Sequence, residues 1–468
     1  MPKTVIRLLL ALLLLAIALV IGLLAWNQAT GWRWLVNGGW HTTARMGALS
    51  DQERRWAIVA WRYFENNAQP KTGLVNGSDK RPVVSLWQMG DTLIALTAAR
   101  QLDLIDDAAF DRRLTLILGT LNRLPLTSAK VPNLLYSATS VAMVGYANTP
   151  QVIGWSAKDM ARLMMALRIV AAFHPQYSEY LERVVLRWDF CRVVDDKGQL
   201  YAGQMRDGKL TPQAEGRLGD SEYSAAGFGL WGLANDQSLR PPAQHVIIDG
   251  LELDIDARDP RTTWTPAAIT TTPYVLSGME YAWTLPGADR DIVTLQRQRA
   301  SNVYRVQEMR WQQKNILTAR SDFNISGPPW HVNDTIFANG YAWNTLADEG
   351  KWVPRLAQVS TRAVFGLWAL WQTPFTDALM AMTQRQNDPQ RGWFEGRVEA
   401  TGDYNRAITL TTNAMVLEAL LFKTNMGALL RDSELNEQSY FRRQLEDPFT
   451  APKRCFPLNN AALRSSPN

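Results

Sequence analysis

The sequence predicts an all-α chain: an (α/α)6 toroid with short β-hairpin insertions, preceded by one transmembrane helix. Three observations lead there. Six times a loop rich in Gly, Pro, Asn and aromatic residues runs into a helix of small and apolar residues. Amphipathic segments with charged outer faces, such as 110–124 and 179–188, follow some of those helices. Residues 8–26 are a run of 19 without a charge. Helices that are apolar all round need full burial, and amphipathic ones cover them. Six of the first kind alternating with the second close into a ring, the helical counterpart of a barrel.

Taken in order, residues 1–7 read as a cytoplasmic tail and 8–26 as a signal anchor. At 1.5 Å per residue the apolar run spans about 28 Å, the thickness of a bilayer core. Lys3 and Arg7 before it hold the tail inside, so 27–468 is expected outside the cytoplasm. A cleaved signal peptide is the rival reading. Residues 27–48 read as a tether carrying Trp32, Trp34 and Trp40. Ser50 with Glu53 three residues on is a capping box that opens the folded domain, 49–440.

Within that domain, loop 82–90 enters helix 91–100, 150–156 enters 157–172, and 215–223 enters 224–234. Then 265–272 enters 273–283, 327–333 enters 334–346, and 392–408 enters 409–422. The spacing is irregular, so the repeat is structural and not one of sequence. Segments 190–205 and 245–255 read as β insertions, and 441–468 as an extended tail.

Loops that precede the inner helices of a ring all open on one face, so their side chains converge on one cleft. The acids there are Asp91, Asp159, Glu215, Asp220, Glu222, Glu280, Asp334 and Glu395. Trp87, Trp155, Trp330, Trp343 and Trp393 lie in or beside the same loops, and Arg217 and Tyr223 sit within the third. Indole rings pack on sugar faces, and carboxylates bond sugar hydroxyls. Glycosidic cleavage needs two carboxyl groups, one of them a donor with a raised pKa. Glu215 or Glu222, with Asp220 beside it, is the expected acid; Glu280, Asp334 or Glu395 is the expected base. Trp87, Asp91, Trp155, Asp159, Arg217, Tyr223, Trp330, Trp343 and Trp393 are the expected substrate contacts.

Other chemistries find less support. The net charge is +5 with the basic residues scattered, so no nucleic acid is expected as a partner. Four histidines at no ligand spacing and two cysteines outside any CxxC give no metal site. No nucleotide loop and no G-x-S-x-G is present, and no cofactor is expected. Whether Cys191 and Cys455 pair is left open. A polysaccharide lyase, using Tyr223, Arg217, His331 and Asn333, is a further alternative.

The segments SLWQMGDTLIALTAARQLDLI (85–105), IGWSAKDMARLMMAL (153–167), EGRLGDSEYSAAGFGLWG (215–232), TTPYVLSGME (271–280) and LTTNAMVLEALLFK (410–423) carry a resemblance. Over roughly residues 50–425 the chain resembles a bacterial family of uncharacterised extracytoplasmic domains found near exopolysaccharide genes. That family is similar to glucoamylase-like six-hairpin glycosidases, including the β-1,2-glucanase group. The resemblance implies the toroid fold and a glycan ligand without fixing an activity; together with the apolar run 8–26 it leads to the expectation of a membrane-anchored periplasmic glycoside hydrolase of the bacterial inner membrane, acting on a polysaccharide or oligosaccharide. The alternative is a non-catalytic glycan-binding accessory of an exopolysaccharide synthesis and export complex. One position departs: the aromatic usual after GRLG is Asp220 here.

Overall fold

The structure is a computed structural model. It describes residues 15–17, 43–195, 199–206, 208–233, 240–259, 268–284, 290–347 and 350–430. The chain divides into two units, 1–43 and 44–468. Of the first, only residues 15–17, in a helix, and residue 43 are described. The expected anchor 8–26, apart from 15–17, therefore lies outside the described residues, as do the tail 1–7, most of the tether and the extended tail 441–468. Among the described residues no helix is long and apolar enough to cross a membrane.

The second unit holds eleven α-helices among its described residues. They are α1 (Asp51–Asn67), α2 (Leu86–Gln101), α3 (Asp107–Leu121), α4 (Ala157–Phe173), α5 (Ser178–Val185) and α6 (Asp220–Gly229). Then come α7 (Thr272–Tyr281), α8 (Arg290–Lys314), α9 (Thr361–Leu370), α10 (Pro374–Thr383) and α11 (Leu410–Thr424). Helices α2, α4, α6, α7, α9 and α11 form a closed inner ring, each packed on the next and α11 on α2. Outside it α3 covers α2, α5 covers α4, α8 covers α7, α10 covers α9, and α1 covers α11. Between α6 and α7 the described chain supplies a hairpin of strands Ala243–Ile248 and Leu251–Asp256. The toroid is thus observed.

The inner helices are apolar on every side because they touch neighbours on every side. In α2 every residue from Met89 to Ala99 is buried. Two glycines set the closest approaches. A Cβ on Gly90 would lie 3.0 Å from the Arg162 carbonyl oxygen, and one on Gly227 would lie 2.6 Å from that of Ala161. Both flanking helices therefore press on the same turn of α4, which puts Arg162 at the centre of the ring. The expected capping box of Ser50 and Glu53 opens α1.

One inner helix is not where the sequence placed it. Residues 334–346 are not helical. They contribute to a three-stranded antiparallel sheet, 345–347 beside 331–334 beside 323–324, and to a small hairpin, Phe337–Ala338 with Tyr341–Ala342. Asn339 and Gly340 both take positive φ at its turn, which is the Asn-Gly hairpin signal. The inner helix of this repeat is α9, beginning just after Ser360. The β insertions expected at 190–205 and 245–255 are present in part. The first is a 3-10 turn, Phe190–Arg192, followed by a hairpin of Tyr201–Arg206 with Lys209–Ala214. Cys191 is disulfide-bonded; Cys455 lies outside the described residues.

Candidate active site

The N-terminal ends of all six inner helices line a single cavity of about 290 Å³. Ser85, Trp87 and Gln88 come from α2, Lys158 and Asp159 from α4, and Arg217 and Asp220 from the start of α6. Thr270, Thr272 and Pro273 come from α7, Arg362 from α9, and Thr409 and Thr411 from α11. Asp322, Asn324, His331 and Asn333 close one wall. In strand His331–Asp334 burial alternates, so His331 and Asn333 face the cleft while Val332 and Asp334 face inward. Asn324 pairs opposite His331 across the ladder.

Three carboxylates face this cavity, held in two ways. Asp159 lies in the first turn of α4; it accepts a hydrogen bond from the Trp87 backbone N–H at 3.3 Å and one from the Ser156 hydroxyl at 3.4 Å. Among the described residues it makes no ion pair, and burial pushes its carboxyl above the ordinary value. Asp220 and Asp322 share Arg217, at 2.6 and 2.9 Å. Burial pushes Asp322 upward, but the charges of Arg217, His331, Lys158 and Arg362 outweigh it and hold the carboxyl below its usual range. Its Oδ1 is buried and has no hydrogen-bond partner among the described residues. Lys158 is held charged, above its ordinary value, chiefly by Asp220.

Below the cleft floor lies a second charged cluster. Arg162 donates to Asp91 at 2.8 Å, to Glu418 at 2.9 Å, to the Tyr223 hydroxyl at 2.8 Å, and to Glu280. Tyr223 donates to Glu280 at 2.9 Å. Five inner helices meet here through one cation, three carboxylates and the Tyr223 hydroxyl, all buried. Burial raises Asp91 to about 6 and lifts Glu280 well above its ordinary value; Arg162 opposes the lift on Glu280 and the nearby Glu418 charge adds to it. Trp87 joins the two layers: its ring lies 5.5 Å from the Arg162 guanidinium carbon, 5.6 Å from Lys158 Nζ and 5.8 Å from the Tyr223 ring.

Of the expected site residues, the structure brings Trp87, Asp159, Arg217 and Asp220 together in the cleft. Trp330 is 55% exposed and next in sequence to His331 on the wall. Glu215 sits beside the cleft and caps α4, accepting from the Ser156 hydroxyl at 2.6 Å and the Lys158 N–H at 3.1 Å. Glu222 does not line the cavity: it accepts from the Gly219 backbone N–H and pairs with Arg299 at 2.7 Å. Asp91, Tyr223 and Glu280 belong to the Arg162 cluster. Asp334 is buried between Arg320, Thr345 and the Gln358 N–H. Glu395 is buried behind the wall, accepting from Thr409, Thr412, Arg362 and the Asn324 N–H. Trp155 packs against Gly203 and bonds the Tyr201 carbonyl, Trp393 packs among Trp56 and Phe365, and Trp343 lies over Arg310. Lys158, Asp322, Asn324 and Arg362 were not among the expected site residues. Arg362 had a readable signal, an apolar helix after Ser360; Asp322 had none. Among the described residues no group of acids, histidines and cysteines could hold a metal ion.

Residues 55–426 match the family described as protein of unknown function DUF3131. The chain belongs to that family. Among curated proteins none matches it in sequence. Its fold is similar to an endo-β-1,2-glucanase from Chitinophaga pinensis, solved with sophorotriose and glucose: 12% identity, TM-score 0.55, 80% of this chain and 92% of that one. It is also similar to an endo-β-1,2-glucanase from Talaromyces funiculosus, solved with sophorose: 12% identity, TM-score 0.53, 94% and 93% covered. A glucoamylase-like chain from Bacteroides fragilis gives 12% identity, TM-score 0.55, and 88% and 98% covered. The likeness to glucoamylase-like six-hairpin proteins is therefore one of fold across the toroid. At such identities it carries no residue roles.

Proposed function

We propose that this DUF3131 protein is a glycoside hydrolase, with Asp159 as proton donor and Asp322 as the base or nucleophile. The observation that carries this reading is the opposite displacement of two carboxyl groups in one cleft. Burial without an ion pair favours the protonated form of Asp159, while surrounding cations favour the ionised form of Asp322. Acid and base assignments follow from such divergence. Trp87 on the floor supplies a flat ring for a sugar face. The elimination alternative is less well served, because Tyr223 is bonded to Arg162 and Glu280 below the floor.

In this reading residues 8–26 anchor the protein in the bacterial inner membrane. The cleft then works on a periplasmic or secreted polysaccharide, alongside exopolysaccharide synthesis machinery. The solved relatives with sophorose or sophorotriose make β-1,2-glucan the first substrate to try. The test is release of reducing ends from β-1,2-glucan and bacterial exopolysaccharides by the full chain. Asp159→Asn and Asp322→Asn are each expected to lower the rate by a factor on the order of 10² to 10⁴ with the circular dichroism spectrum unchanged. Glycan binding without cleavage by the wild type would instead make this a glycan-binding accessory. The sharing of Arg217 by two of the three cleft carboxylates is the observation on that side.

A further inference from the structure

We propose that the glycan runs out of the cleft over its strand wall and stacks on Trp352 and Tyr341, so that this protein takes chains longer than the cavity. This rests on the reading of the cleft as a glycan site and adds the outer contacts and the length of glycan they select. The cavity holds about 290 Å³, at the small end of ligand sites, which run from about 300 to 1,000 Å³. A polysaccharide therefore continues beyond it. Among the described residues only two tryptophans are more than half exposed. Trp330 precedes strand His331–Asp334, and Trp352 is bridged to strand Thr345–Ala347. Trp352 leaves 68% of its surface in water and Tyr341 leaves 72%. Rings so exposed gain little from packing, and neighbouring exposed aromatic groups mark a surface that binds.

Strand register fixes where Trp352 stands. Asn333 lines the cavity and pairs across the sheet with Leu346. Leu346 pairs in turn with Trp352. On either side of that pair the Ala347 N–H donates to the Lys351 carbonyl and the Val353 N–H to the Thr345 carbonyl, both at 2.9 Å. This is the closer, non-hydrogen-bonded kind of antiparallel pair. Residues directly opposite each other share a face of the sheet, so Asn333, Leu346 and Trp352 form one row on the cleft side. Two strand spacings put the backbones at its ends about 10 Å apart. A second route leads to Tyr341. Thr270 lines the cavity, and its neighbour Ile269 bridges Phe337 in the hairpin 337–342. In that hairpin Ala338 stands opposite Tyr341. Ala338, Ala268 and Leu346 are buried as one cluster. Trp352 and Tyr341 are thus each the cross-strand partner of a member of the same cluster, beside the cavity wall. Aromatic rings that are apolar across the face and wet at the edge suit a sugar chain leaving the cavity.

The experiment uses the full chain and a ladder of β-1,2-gluco-oligosaccharides from sophorose upward, with Asp159→Asn in every sample to stop turnover. Binding is measured by titration calorimetry. Affinity is expected to rise with length. Trp352→Ala is expected to weaken the longest probe about three- to tenfold, the size of one aromatic stacking contact, and to leave sophorose unchanged. Tyr341→Ala is expected to act in the same direction. Urea midpoints are expected to stay where they are, because both rings are exposed. Affinity that does not rise with length, an equal loss for sophorose and the longest probe, or no loss in the Trp352→Ala, Tyr341→Ala double variant would each overturn the proposal and leave the cleft as a glycan site. No binding of any probe would overturn the proposal and count against the glycan site as well. A chain that is dimeric in solution and monomeric as Trp352→Ala would give this surface to a second copy and overturn the proposal.

Discussion

Two charged layers are stacked at the centre of this toroid, and they use the same residue types to opposite ends. The Arg162 cluster lies below Trp87 and the cleft above it. Depth along the inner helices separates them. Asp159 is three residues past its N-cap Ser156, and Asp220 is the first residue of α6. Asp91 and Arg162 are each six past their caps, Ser85 and Ser156, which is about 9 Å down the axis. Glu280 and Glu418 are each nine past Thr271 and Thr409, about 13 Å down. The shallow groups meet solvent and the deep ones meet each other. The deep layer gives every nitrogen of Arg162 a partner, while in the cleft Arg362 Nε has none among the described residues. One is built as a joint between helices and the other as a receiver.

The sharpest way to break this contrast is to remove the cation from the deep layer. Arg162→Met leaves three carboxylates and Tyr223 buried without their shared partner. Removing one side of a buried ion pair costs about 3–5 kcal/mol, and here one arginine serves three acids. The expected outcome is a large fall in the urea midpoint or failure to accumulate folded protein. Lys158→Gln, one helical turn away, should change stability by no more than about 0.5 kcal/mol, because among the described residues its ammonium has no hydrogen-bonded partner to strand. A similar loss in both variants would show that the two layers do not differ as described.

That contrast also explains what the sequence could show. The ring was legible because its signals are local: Ser or Thr before several of the inner helices, apolar residues on every face, and glycines where helices touch. Five of the six inner helices fall close to their expected places. The sixth was misplaced because 334–346 is as rich in apolar and aromatic residues as an inner helix. Its Asn339-Gly340 turn carried the correction. In the cleft, Trp87, Asp159, Arg217 and Asp220 were legible because they sit at helix starts. Asp91, Glu280 and Glu418 are in the same motifs, and counting residues from each cap places them too deep for solvent. Asp322 and Arg362 reach the cleft through a strand connection and a helix start distant in sequence, with no local pattern to bring them together.

The deep layer should also respond to pH through Asp91. The folded chain keeps this carboxyl protonated up to about 6, because burial outweighs Arg162 and Thr411. An unfolded aspartate releases its proton near about 3.9. Folding therefore binds a proton between those values, and this group's contribution to stability falls as pH rises through that window. Asp91→Asn removes that slope. Relative to wild type, the variant is expected to gain stability on going from pH 4 to pH 7, read from urea midpoints at each. A difference between variant and wild type that does not change with pH would show that Asp91 is ionised throughout.

The smallest effect is expected at the rim. Trp330 is 55% exposed and takes φ of +65°, held there by its N–H to the Gly327 carbonyl at 2.7 Å and its own carbonyl accepting from Ile325. An exposed indole in a left-handed turn gains little from packing, so the fold has no need of the ring. It is next in sequence to His331, which lines the cavity wall. Trp330→Ala keeps the turn and removes the ring, so stability should stay within about 0.5 kcal/mol. Glycan affinity should fall severalfold, in line with roughly 0.5–1.5 kcal/mol for a stacking contact. Trp330→Phe should recover part of the loss, since a smaller ring still offers a face. Unchanged affinity in Trp330→Ala for every oligosaccharide that wild type binds would take Trp330 out of the sugar-binding surface.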